Sequence, residues 1–237
     1  AQAIREGDSE SVASQLERRP SATAEVLLQR TTEFPVDSKW LEERVIAGFR
    51  PLLRERSPEA ALAHLEQFRL LAAHRRGPRG VETLNELCRS WLVRAALVPP
   101  SGEFYRGRQI LVTENDPGTR LSNGDLGLGV TDAEGTPSVY FSSAEGPRRF
   151  SPAQLPAHET AFALTIHKTQ GSEYDEVLVV LPEEGSLLLS RELLYTAVTR
   201  ARKHVALFGS TGAVVGGVRR RVRRASGLAE RLASRAR

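Results

Sequence analysis

Cysteine occurs once in this sequence, at Cys88, so no internal disulfide can form and no cysteine-rich metal site can be assembled. Lysine is nearly as scarce. Lys39, Lys168 and Lys203 follow Ser38, His167 and Arg202, so the chain contains no Gly-Lys pair. That excludes a phosphate-cradling GxxxxGK loop ending in Ser or Thr. The one Asp-Glu pair, Asp175-Glu176, precedes its apolar run, whereas a Mg²⁺-binding acid of the Walker B kind follows one. The five histidines are scattered and suggest no metal cage, and no Gly-x-Ser-x-Gly supplies a nucleophile. The longest apolar runs, such as Val177 to Leu181, fall far short of the roughly 20 residues a membrane span needs. No basic, apolar, small-residue leader opens the chain, and a cytoplasmic location is expected. The absence of any methionine agrees with a fragment of a longer protein.

What remains is a globular composition, 40% apolar and 26% charged. The net charge of +4 is unevenly placed. From Ala213 to Arg237 there are eight arginines and one acid, Glu230, so the rest of the chain is net acidic. This basic tail reads either as a solvated helical face or as a contact for a nucleic-acid backbone or an acidic partner.

Residues 1–66 read as helical, with Ser57-Pro58-Glu59 a helix start: Ser as N-cap, Pro in the first turn, an acid at the positive dipole end. Phe68 to Ala73 reads as a strand, followed by a basic turn, His74 to Gly80, and a helix carrying Val81, Leu84, Leu87, Cys88, Trp91 and Leu92 at helical spacing. The texture changes at Pro99-Pro100-Ser101-Gly102. From Phe104 to Leu155 short β-like segments alternate with turn signals such as Asn123-Gly124, fitting a small antiparallel barrel inserted at 101–156. From 157 the pattern becomes strand (Ala161 to Ile166), polar loop, strand (Val177 to Leu181), helix (Arg191 to Arg202) and strand (His204 to Phe208). Residues 67–100 and 157–212 together predict an α/β layer with a mostly parallel sheet.

The polar loop, TIHKTQGSEYDEV from Thr165 to Val177, begins where a strand stops, and ligands of such sheets gather beyond the carboxyl ends of strands. Its backbone amides after His167 are suited to holding a phosphate. In the following helix, Leu193, Leu194, Ala197, Val198 and Ala201 form an apolar stripe about 140° wide. Arg200 lies about 90° from the stripe's centre, on the border of core and solvent, where it fits a cleft or a plain surface equally.

LTIHKTQGSEYDEVLVVLP followed by RELLYTAVTRARKHVALFGS resembles motifs V and VI of superfamily 1 DNA helicases, and most closely the RecD type, the alpha subunit of exodeoxyribonuclease V. RLLAAHRRGPRGVETLNE resembles that family's motif IV region, and GRQILVTENDPGTRLSNGDLGLGV the opening of its inserted SH3-like barrel. The resemblance implies a second RecA-like motor domain facing an ATP-binding first domain across a cleft, with single-stranded DNA over both. It implies that Glu173 meets the nucleotide ribose, that Gly171 allows close approach, and that Thr165 and His167 touch DNA. It also implies that Arg200 is an arginine finger on the transferring phosphoryl group. Arg75 is assigned as the motif IV arginine near the γ-phosphate, with Arg76 adjacent and not separated from it by spacing.

On this resemblance the chain is the C-terminal half of an ATP-dependent 5′ to 3′ DNA helicase acting in double-strand-break repair and recombination. ATP and Mg²⁺ are the implied cofactors, the Mg²⁺ held mainly by the first domain. The implied partners are single-stranded and duplex DNA, the first RecA-like domain, and RecB-like and RecC-like subunits. The alternative is a non-catalytic docking module that holds partner subunits or DNA in a helicase-nuclease complex. A ribose-binding Glu173 and an edge-placed Arg200 favour the motor reading.

Overall fold

The computed structural model describes residues 1–17, 26–30, 38–132 and 134–222. Helices α1 (Gln2–Glu6) and α2 (Ser9–Glu17) are followed by strand β1 (Val26–Arg30), so the first 66 residues are not wholly helical as the sequence suggested. Helices α3 (Lys39–Arg54) and α4 (Pro58–Ala63) lead into β2 (Phe68–Ala72) and α5 (Val81–Arg94). Ser57 caps α4 by accepting from the Ala60 amide, with Pro58 at the first turn. Strands β3 (Gln109–Val112), β4 (Leu126–Thr131), β5 (Pro137–Phe141), β6 (Arg148–Phe150) and β7 (His158–Thr160) precede β8 (Ala163–Thr165) and β9 (Tyr174–Val180). Helix α6 (Arg191–Val198), β10 (Ala201–Gly209) and α7 (Thr211–Arg219) close the described chain.

Two five-stranded sheets result. One is parallel, in the order β1-β10-β9-β2-β8; the other is antiparallel, in the order β6-β5-β4-β3-β7. Strand β2 is buried along its whole length and β9 from Val177 to Val180, which is why both read as apolar runs, the first interrupted only by Arg69. Alternate residues serve opposite faces. Leu70, Ala72, Leu178 and Phe208 join the core under α3, α4 and α5, while Leu71, Val177, Val179 and Leu207 join the core under α1, α6 and α7. Phe49 of α3 packs edge-on against Phe68 at 4.9 Å, and α3 comes this close because Gly48 has no Cβ; one built there would lie 2.4 Å from the Phe68 ring. The edge strand β8 is covered by α5, where Asn85 both accepts from the Ala163 amide (2.9 Å) and donates to its carbonyl (3.4 Å).

The antiparallel sheet has its own core of Ile110, Val112, Leu121, Val139, Phe141 and Phe150. It reaches Thr160, past the expected boundary at Pro156, because His158–Thr160 pairs with β3. The strand expected from Ala161 to Ile166 is correspondingly shorter, with Ala163–Thr165 alone in the parallel ladder. The two sheets meet at Arg69 of β2, which is fully buried and, among the described residues, forms no ion pair. Its guanidinium donates to Gln109 Oε1 (2.7 Å), the Ala161 carbonyl (3.0 Å) and the Leu65 carbonyl (3.1 Å), and lies 5.1 Å from the Tyr174 ring centroid. Among the basic-tail arginines, Arg219, Arg220 and Arg221 are described, and those from Arg223 onward lie outside the described residues. Among the described residues no helix is long and apolar enough to cross a membrane.

Candidate nucleotide and nucleic-acid site

All strands of the parallel sheet run the same way, so the sheet has an edge where strands begin and an edge where they end. Tyr174 pairs with Ala201 at the first edge, and Ala72 pairs with Val180 and Thr165 at the second. Six residue steps along β9 separate the two levels, about 20 Å at strand rise. The loop after β8 starts at the second edge and ends at the first, descending beside α6.

At the first edge the loop is tied to the end of α6. The helix stops at Val198, short of the expected Arg202, and β10 begins at Ala201; in the turn between them the Thr199 hydroxyl donates back to the Tyr195 (2.9 Å) and Thr196 (3.1 Å) carbonyls. Arg200 therefore sits in the turn between helix and strand, half-buried. Its Nη1 donates to the Ser172 carbonyl (2.9 Å) and the Thr169 carbonyl (3.3 Å), its Nε to the Thr196 carbonyl (3.2 Å), and its own carbonyl accepts from the Tyr174 amide (2.8 Å). Nη2 makes only a 3.5 Å contact, to Thr199 Oγ1, and is the least engaged part of the group. Glu173 lies between Ser172 and Tyr174, both hydrogen-bonded to Arg200, with an exposed side chain that takes no hydrogen bond among the described residues. Gly171 has φ of 88°, a left-handed conformation that favours glycine, and open space beyond its Cα. The structure thus brings Gly171, Glu173 and Arg200 together.

Glu173 also lines a cleft of about 540 Å³ between the two sheets. Glu66 and Arg202 line it from the parallel side, and Gly124, Leu126 and Phe141 from the antiparallel side. Arg202 is held by Asp175 Oδ1 (2.9 Å) and Glu66 Oε2 (3.3 Å), and Asp175 also accepts from Lys203 (2.9 Å). The Lys203 ammonium and the Arg202 guanidinium hold the Asp175 carboxyl below its usual pKa.

At the second edge stand Thr165, half-buried, and His167, exposed. Thr165 Oγ1 accepts from the Lys168 amide (3.4 Å) and shapes the turn that presents His167. Arg75, which the resemblance groups with Glu173 and Arg200 at the nucleotide, is here too, in the loop after β2. It follows a strand, whereas they precede strands, and parallel strands put those positions at opposite edges. Its guanidinium is bidentate on Glu159 of β7 (2.8 and 3.3 Å) and reaches Glu82 at 3.6 Å. Glu159 raises the Arg75 pKa further above its ordinary value. Sequence reasoning missed Arg69, Glu159 and Lys168. An arginine inside the apolar run FRLLA was a signal for the first, and Lys168 stood in the polar loop already singled out; Glu159 carried none.

The residues from Thr160 to Phe208 match the UvrD-like helicase C-terminal domain. The RecBCD enzyme subunit RecD of Mycobacterium tuberculosis is 48% identical over 176 residues, covering 74% of this chain and 30% of that protein. The ATP-dependent RecD2 DNA helicase of Deinococcus radiodurans is 36% identical over 171 residues, covering 69% and 23%. A Pif1 helicase from Bacteroides in complex with ADP-AlF3 and ssDNA overlays 86% of this chain and 56% of its own length at a TM-score of 0.44 and 16% identity. The sequence kinship, set on this pair of motifs, defines a superfamily 1 helicase in its C-terminal region. Within that class the chain is of the RecD type, related to the RecD subunits of RecBCD enzymes. It spans about 30% of the length of the first curated relatives it matches.

Proposed function

We propose that this chain is the second RecA-like motor domain of an ATP-dependent 5′ to 3′ DNA helicase, with residues 101–156 an SH3-like insert. The parent would act in cytoplasmic double-strand-break repair and recombination beside RecB-like and RecC-like subunits. The observation that carries this reading is the joining of Gly171, Glu173 and Arg200 at one edge while Thr165 and His167 lie at the other end of the same loop. A nucleotide at the first edge and a single strand at the second would pull on one segment, coupling the two.

The residues of the first edge fit ATP. Glu173 is a free acceptor for ribose hydroxyls, Gly171 leaves room beside it, and Arg200 offers a guanidinium fixed by three carbonyls with Nη2 left to donate. ATP would supply the transferring phosphoryl group. Arg200 would meet the charge that develops there without having to be ordered first. For Mg²⁺ the fit fails: among the described residues no group of His, Cys, Asp and Glu converges to hold a metal. The phosphate loop and the metal ligands would belong to a first motor domain.

The test is hydrolysis and unwinding by the complete polypeptide on 5′-tailed and 3′-tailed duplexes. DNA-stimulated hydrolysis with unwinding of the 5′-tailed substrate is expected. An absence of DNA-stimulated hydrolysis would leave a docking module in its place.

A further inference from the structure

Three elements converge at the strand-end edge of the parallel sheet. Arg75 comes from the loop after β2, Lys168 from the turn after β8, and Glu159 from β7 of the antiparallel sheet. Arg75 holds Glu159 through both guanidinium branches, at 2.8 and 3.3 Å, and Lys168 Nζ stands 3.7 Å from the same carboxylate. Two cations of one sheet therefore share one anion of the other. All three groups keep contact with water: the side chains of Arg75, Lys168 and Glu159 are 50%, 30% and 25% exposed. Thr165 and His167 lie on the same turn as Lys168.

We propose that Arg75 and Lys168 form a binding site for a phosphodiester of a single strand, and that Glu159 occupies that site as a resident anion until the strand displaces it. The inference rests on the helicase reading above, since it needs a strand to run past Thr165 and His167. A carboxylate and the two free oxygens of a phosphodiester present the same paired acceptors to a guanidinium, so one replaces the other without a change of geometry. Each carries a single negative charge, so a phosphodiester can take the place of the Glu159 carboxylate on the two cations, while Glu82 keeps its 3.6 Å contact with Arg75. Solvent-exposed ion pairs are weak, which keeps the carboxylate displaceable. Displacement would also release the one ionic tie described here between Arg75, Lys168 and the antiparallel sheet.

The experiment is binding of a fluorescein-labelled oligothymidylate to the complete polypeptide across a salt series, with melting temperatures recorded for every variant. Glu159→Gln keeps the shape of the side chain and removes its charge. It should tighten binding about 3- to 10-fold, as loss of a competing anion predicts. Lys168→Ala and Arg75→Ala should each weaken binding and flatten the slope of log affinity against log salt by about 0.7. In the Arg75→Ala/Lys168→Ala background, Glu159→Gln should no longer matter. Inorganic phosphate is the second probe, and failure to compete at low millimolar concentration is expected of a site shaped for a strand. Unchanged or weaker binding by Glu159→Gln would make Glu159 a strut between the sheets and overturn the inference. So would equal tightening in the double-alanine background, or efficient competition by free phosphate. A wild-type polypeptide that binds no single strand at any salt would instead overturn the helicase reading beneath it.

Discussion

Arg200 Nη1 donates to the Ser172 carbonyl at 2.9 Å, and through this bond the turn that ends α6 holds the residue immediately before Glu173. The same guanidinium is anchored to Thr169 and Thr196, so helix, loop and strand β10 meet on one side chain. A group restrained in this way is suited to stabilising charge at a fixed point, and it also has a structural share. Arg200→Lys should therefore lose nearly as much activity as Arg200→Ala, because an ammonium cannot bind the Ser172 and Thr169 carbonyls and keep a second prong free. Steady-state hydrolysis by the Lys variant, with nucleotide affinity measured in parallel, checks this; rescue by Lys would mean that charge alone suffices.

Thr165 pairs at the level of Val180, six residue steps along β9 from Tyr174, and His167 follows it on the turn that runs down to Thr169, whose carbonyl accepts from Arg200. Thr165→Ala and His167→Ala should each weaken single-strand affinity about 5-fold or more, the loss of one hydrogen bond to a charged phosphate. Glu173→Ala should leave strand affinity intact and raise the nucleotide concentration needed for half-maximal hydrolysis. Equal loss of strand binding by all three variants would make the loop a single DNA surface.

Arg69 is the joint between the sheets, and burial pulls its pKa down. Arg69→Met removes the donor from Gln109, Ala161 and Leu65 and should destabilise the fold by about 2 kcal/mol or more, because buried acceptors are left unpaired. Adding Gln109→Leu should recover part of that loss, since one unpaired group goes with it. Urea unfolding of the single and double variants measures both; additive losses would show that the Arg69–Gln109 bond is not the coupling.

Cys88 is fully buried on α5, and burial pushes its thiol pKa far up. It should stay unreactive toward a thiol reagent in the native state and react with the kinetics of unfolding. Fast labelling of folded protein would show that α5 does not sit as described.

Much of the parallel sheet was legible because β2 and β9 are buried on both faces and spell apolar runs. Strand β7 was not, since all three of its residues are half-buried and show no alternation. Val26–Arg30 also read wrongly, because a short apolar run such as VLLQR carries no period that separates strand from helix. The end of α6 was missed because no Gly or Pro marks it; the last amides, of Thr199 and Arg200, bond to Tyr195 and Ala197, and the chain then turns into β10. At the site, the polar loop stood out by composition, whereas its link to Arg200 came only from the resemblance to motifs V and VI. Arg75 was legible as part of a basic turn, but its partner Glu159 was not, because sequence order does not reveal which strand of the second sheet reaches that turn.

The central claim is that the edge bearing Gly171, Glu173 and Arg200 is where this chain meets a reacting nucleotide. DNA-stimulated ATP hydrolysis by Arg200→Ala in the complete polypeptide, compared with Arg202→Ala, tests it most directly. Arg202 neighbours Arg200 but is engaged with Asp175 and Glu66. Arg200→Ala should keep most nucleotide and single-strand binding and lose hydrolysis by at least about 10²-fold, while Arg202→Ala turns over nearly normally. Near-normal hydrolysis by Arg200→Ala, or equal damage from both substitutions, would contradict the account.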